Sequence, residues 1–187
     1  MNATDNQIGR QFRRIQLGFR FLAHGARTQT TCHWTGLTPD QLATLRRRWM
    51  FNADERLRGP SPSSFEAFFA SRRRRSQAAL FLGICRILGA APAKTGALAA
   101  KYLPSLENGE RFCEAYEMYR EWAPNAEFDI EQVQLLLLGA VHGESIELTL
   151  CHTCYGSLLV DKLGKTDSGC DHCRRRSSRS AGHALRS

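Results

Sequence analysis

Four cysteines near the C-terminal end constrain this chain more than any other feature. Cys151 and Cys154 form one C-x-x-C, Cys170 and Cys173 form a second, and 15 residues separate the pairs. Two intervening residues let a tight backbone turn aim both thiolates of a pair at one point. Two such knuckles complete a tetrahedron at about 2.3 Å from a zinc ion. Gly156 follows the first pair and Gly169 precedes the second, which suits knuckle turns that need an unhindered backbone. Filling all four positions with thiolate leaves none open to water, so the expectation is one structural Zn2+ per chain. Four cysteines also suit an iron–sulfur cluster, and one C-x-x-C alone suits redox chemistry. Two closely spaced pairs without a βαβ context favour zinc. His152 and His172, inside the pairs, are expected to point outward, though either is able to replace a cysteine.

The 187 residues suffice for one ordinary domain and a small appendage. With 42% hydrophobic and 24% charged residues, the composition is that of a folded protein rather than a disordered one. The net charge of +8 and pI near 9.5 point to an anionic partner, the plain alternative being a basic, solubilising surface. The opening MNATDNQIGRQFRRIQ lacks the apolar core of a secretory signal. No stretch approaches the roughly 18 continuous apolar residues of a membrane span. A cytoplasmic location is therefore expected, where disulfides are rare and seven cysteines need another explanation. Cys32, Cys85 and Cys113 read as inert core residues.

Periodicity predicts a mainly α protein. One long helix is expected from Asn6 to about Thr30, because Ile8, Phe12, Ile15, Phe19 and Leu22 are spaced 4, 3, 4, 3. That stripe faces either the core or a partner helix. Further helices are expected after the RLRGPSPSS break: one capped by Ser64 and running through Phe65 and ALFLGICRIL, one in the Ala-rich 92–103, then 110–122 and 129–141. SIELTL and YGSLLVD read as strands. The organisation is thus a helical body over 1–144, a four-cysteine, zinc-ribbon-like module over 145–176, and a basic mobile tail over 177–187.

Residues 28–50 carry helix-turn-helix signals. Gly36 sits where a tight turn needs positive φ, and small Cys32 permits close approach of two helices. Thr38-Pro39-Asp40-Gln41 forms a capping box with proline at the first helical position. Leu37, Leu42, Leu45 and Trp49 share one face. Gln41, Thr44, Arg47 and Arg48 fall on the other, with side chains suited to base edges and phosphates. The runs Arg46–Arg48, Arg72–Arg75 and Arg174–Arg176 strengthen a DNA-binding reading, and Arg174, Arg175 and Arg176 are candidate phosphate contacts. Each run alone more often makes a solvated face.

The segment LGFRFLAHGARTQTTCHWTGLTPDQLATLRRRW, the helical body and the double C-x-x-C together resemble the FlhC family of flagellar transcriptional activator subunits. The resemblance runs roughly from Ile15 to Cys173, as a diverged member or paralogue. It implies zinc held by Cys151, Cys154, Cys170 and Cys173. It also implies a small FlhD-type partner in a hetero-oligomer, binding to double-stranded promoter DNA, and recruitment of RNA polymerase to flagellar and other operons. A zinc-stabilised protein–protein adaptor without sequence-specific DNA contact is the alternative. The sequence shows no Ser/His/Asp set, phosphate loop or paired acidic residues with a metal opening, so no enzyme is expected.

Overall fold

The first helix stops at a glycine rather than running on to Thr30. In the computed structural model, which describes residues 3–49, 60–92, 95–123, 125–164, 170 and 173, α1 spans Ala3–Ala23 and α2 spans Thr28–Thr35. Gly25 adopts φ 77°, and the N–H groups of Gly25 and Ala26 donate to the carbonyls of Leu22 and Phe21. This paired termination satisfies two last-turn carbonyls that a continued helix would otherwise satisfy itself. It also lets α2 fold back beside α1. After Gly36 (φ 68°), α3 (Pro39–Arg48) begins at Pro39 as expected.

The expected helix after Ser64 divides in two. Ser64 Oγ accepts from Glu66 N–H, but the N-cap of α4 (Glu66–Phe69) is Phe65, without a side-chain cap, and not Ser64 as expected; Ser71 Oγ accepts from Arg74 N–H to start α5 (Arg72–Ile87). Ser71, immediately ahead of the arginine run, is the N-cap that divides the segment, where the polar SRRRRSQ interrupts its apolar face. The Ala-rich stretch is helical only over α6 (Ala97–Tyr102). α7 (Leu106–Trp122) starts a turn earlier than expected, capped by Ser105, and α8 (Ile130–His142) carries an Asp129/Gln132 capping box. β1 (Ile146–Leu150) and β2 (Ser157–Asp161) pair antiparallel, with Leu148 opposite Leu159. Among the described residues there are thus eight helices and one two-stranded sheet, a mainly α fold. None of these helices is long and apolar enough to cross a membrane.

The main core runs through the whole arrangement. Leu17 and Phe21 of α1, Trp34 of α2, Phe81 of α5 and Phe112 of α7 interlock, with Trp34 stacked on Phe112 at 5.2 Å between ring centroids. Ile130, Val133, Leu136 and Leu137 of α8 close its other side. Ile146, Leu148 and Leu159 of the hairpin belong to the same cluster, so the strands leading to the cysteines are anchored on the helical body. Leu22, Leu37 and Leu42 make a second, smaller cluster that holds α1, α2 and α3 together, with Cys32 and Leu45 against it. α1 can approach this closely because Gly18 has no Cβ: one there would lie 2.8 Å from Leu37 Cδ1.

Candidate functional site

The hairpin delivers the first pair of cysteines. Cys151 follows directly on β1 and Cys154 lies three residues before β2. The turn between them is closed by Tyr155 N–H to Cys151 O and Cys151 N–H to Gly156 O, both 2.9 Å. The left-handed residue of this knuckle is Tyr155 (φ 56°). A Cβ at Gly156 would lie at an ordinary van der Waals distance, 3.5 Å, from Cys154 Sγ. Gly169 and His172 lie outside the described residues, and His152 is exposed, as expected.

All four sulfurs lie within 4.8 Å of one another. Cys154 and Cys170 are 3.4 Å apart, Cys151 and Cys173 3.9 Å. A tetrahedral ion with bonds of about 2.3 Å spaces its sulfurs by about 3.8 Å, so the cluster has the size to hold one metal ion. Backbone donors at Cys170, Cys154 and Thr153 pull the Cys151 thiol down to about 5, while hydrogen bonding to the Cys170 thiol pushes Cys173 up to about 12. Four thiols at this spacing share protons; a divalent cation supplies the positive charge that lets all four ionise.

The remaining cysteines are unlike these. Cys85 and Cys113 are fully buried, and desolvation raises both thiols, Cys113 to about 12. Such thiols are poor nucleophiles. Cys32 is only half-buried, at the edge of the smaller cluster rather than in the core. Its carbonyl accepts the Gly36 N–H, closing α2.

The α2–turn–α3 unit has the expected local geometry. Thr38 Oγ1 accepts from Gln41 N–H, and Gln41 Oε1 accepts from Thr38 N–H at 2.9 Å. The Gln41 amide oxygen is therefore engaged in the cap, and its amide nitrogen is what remains to meet a ligand. Thr44 Oγ1 donates to Asp40 O at 2.9 Å, back along its own helix. Arg47 and Arg48 are exposed, whereas Arg46 donates to Thr28 Oγ1 at 2.8 Å and ties α3 to α2. Leu42 is buried and Leu45 partly so, but Trp49 stays 62% exposed, edge-on to Phe19. Arg174, Arg175 and Arg176 lie outside the described residues, as does the 177–187 tail.

The second arginine run serves the fold. Arg74 pairs with Glu127 at 3.0 Å and lies over the Phe128 ring, Arg73 pairs with Glu127 at 3.2 Å, and Arg75 Nε donates to Leu159 O. This run adds less to an anionic-ligand surface than its sequence suggests.

One feature escaped sequence reasoning. Glu131 on α8 is buried; its carboxylate accepts from Arg27 N–H at 2.9 Å and from Thr30 Oγ1 at 2.8 Å. Arg27, the N-cap residue of α2, supplies no side-chain cap, so a carboxylate 104 residues away does so instead. Of the two directions open to the α1 stripe, the core or the outside, most of it turns outward. Only Leu22 of that set is buried; Ile8 and Phe12 are 65% and 60% exposed. Leu17, Gly18 and Phe21 form the inward face instead. No family model matches this chain, and no curated protein matches it in sequence.

Proposed function

We propose that the chain is a DNA-binding transcriptional activator subunit, stabilised by a structural Zn2+ ion, that acts in the cytoplasm with an FlhD-type partner on flagellar and other promoters. RNA polymerase is the machinery it would recruit. The observation that carries this reading is the α2–Gly36–α3 unit, from which Arg47 and Arg48 project beyond the small leucine cluster. A capped helix held at an angle by a glycine turn, with arginines on its outer face, suits backbone and base-edge contacts in a major groove. Zinc is favoured for the cluster because four thiolates in a closed set of this size match its coordination preference.

The test is fluorescence anisotropy of the zinc-loaded chain on flagellar promoter DNA and on scrambled DNA, with and without the partner, at two salt concentrations. Salt-sensitive binding that prefers the promoter and tightens with partner is expected. Equal, weak binding to both DNAs with partner present would remove the reading. Arg47→Ala is expected to weaken specific binding about tenfold, in line with loss of one good arginine contact, and to leave zinc content unchanged. Removal of 174–187 is expected to weaken binding to all sequences alike.

The adaptor reading draws on one observation of its own, the exposed apolar side chains along α1. Under it the chain binds protein only, and DNA affinity stays low in every arm.

A further inference from the structure

Gln41 is an exposed residue whose amide has a fixed direction. It stands at the third position of α3. Its Oε1 accepts the Thr38 N–H at 2.9 Å, while Thr38 Oγ1 accepts the Gln41 N–H at 3.2 Å. Chemistry admits one orientation only, since an amide nitrogen facing Thr38 N–H would set donor against donor. The carbonyl is thus turned to the start of its own helix, and the NH2 group is the polar end left outside. One turn on, Thr44 gives its hydroxyl proton to Asp40 O at 2.9 Å, so it presents oxygen lone pairs rather than a proton. The two side chains therefore have set and opposite polarity before any ligand arrives.

A glutamine without such a cap suits adenine, because its oxygen accepts from N6–H2 while its nitrogen donates to N7. That fork needs both amide atoms side by side on one base edge. At Gln41 it competes with the capping box for the same oxygen. Guanine makes no such demand: N7 and O6 are both acceptors, and a donor alone satisfies them. Thymine offers one acceptor beside a methyl group, and cytosine offers a donor that faces the amide protons.

We infer that Gln41 reads guanine, donating from its amide nitrogen to O6 or N7 with the capping box intact. The base preference deepens the activator reading and rests on it, since α3 must lie in a major groove for the amide to meet a base edge. The position of Gln41 in the first turn suits this role, because the N-terminal residues of a recognition helix contact base edges.

The test is selection from a DNA duplex library with a randomised core by the full, zinc-loaded chain with its FlhD-type partner, followed by competition between matched duplexes. Gln41→Glu is the informative variant. A carboxylate oxygen accepts the Thr38 N–H as the amide oxygen does, so the capping box is kept, while the outward group changes from donor to acceptor. The wild type is expected to select guanine at one position of its site and to bind about fivefold more weakly when that guanine is replaced by adenine, the loss of one neutral hydrogen bond. In Gln41→Glu the same position is expected to turn to cytosine, whose N4–H2 donates to a carboxylate. Other positions, far-UV circular dichroism and zinc content are expected to stay unchanged. Repulsion between the new carboxylate and phosphates weakens all sites alike and leaves the preference among bases readable. Thr44→Val, which removes the neighbouring hydroxyl, is expected to keep the guanine preference. Adenine, thymine or cytosine at the wild-type position that responds to Gln41→Glu would overturn the inference, as would a guanine preference that Thr44→Val removes. A defined site in which no position responds to Gln41→Glu sinks the base assignment and leaves the activator reading standing. Selection of no sequence at all, with partner present, sinks both.

Discussion

Glu117 shows how one carboxylate organises the outer side of α1. It accepts from Arg20 at 2.7 Å and from His24 at 3.0 Å. Partial burial opposes its ionisation, but the hydrogen bonds from Arg20 and His24 outweigh that and hold its carboxyl below its ordinary value. A depressed carboxylate contributes stability that is present at neutral pH and is lost as pH falls through the folded-state value. Glu117→Gln is therefore expected to lower the urea midpoint at about pH 7, and the gap to the wild type is expected to close as pH falls below the ordinary carboxylate range. Comparing the two proteins at each pH cancels the acid lability of the cysteine cluster. A difference that persists unchanged in acid would assign the effect to packing. None of this was legible beforehand, since the partners lie more than 90 residues apart.

At the scale of elements, two sets of contacts decide how α2 and α5 are held. The Glu131 carboxylate caps α2 from α8, and its side chain is only 4% exposed. Glu131→Ala strips partners from a buried N–H, a hydroxyl and the Arg27 guanidinium, so a loss of about 3 kcal/mol in denaturant-derived stability is expected. Glu131→Gln is expected to lose less, because one amide oxygen still accepts. The arginines of α5 give the complementary case. Arg74→Ala removes an ion pair, a cation–π contact and a bond to Ala67 O. It is expected to cost about 1–2 kcal/mol while leaving DNA affinity within twofold, the opposite pattern to Arg47→Ala. Equal loss of DNA affinity in both variants would mean that α5 also contacts the nucleic acid. The starts of α3 and α8 were readable in advance because a capping box lies within four residues. The breaks at Gly25 and Ser71 were passed over, although the apolar stripe of α1 ends at Leu22 and the polar SRRRRSQ interrupts the apolar face of the next segment.

Across the whole molecule, the hairpin shares Ile146, Leu148 and Leu159 with the helical core, while the cysteines sit at its exposed end. If the cluster is loaded with metal as proposed, chelation is expected to release one ion per chain, lower the thermal midpoint and unfold the knuckles, while far-UV circular dichroism keeps most of its helical signal. Complete loss of helicity would mean that the core depends on the metal as well. The sequence by itself determined what is local: the cysteine spacing, the left-handed turn at Gly36, the Thr38–Gln41 cap and the strand alternation that ends at Cys151. Each of these is made by residues within a few positions of one another, so spacing alone specifies the geometry. Only the tertiary structure decided which side of α1 turns inward, which arginines are engaged and what caps α2. Periodicity states that an apolar stripe exists. What covers the stripe depends on packing between distant segments, and here Gly18, Leu17 and Phe21 take the core and leave Ile8, Phe12 and Ile15 outside.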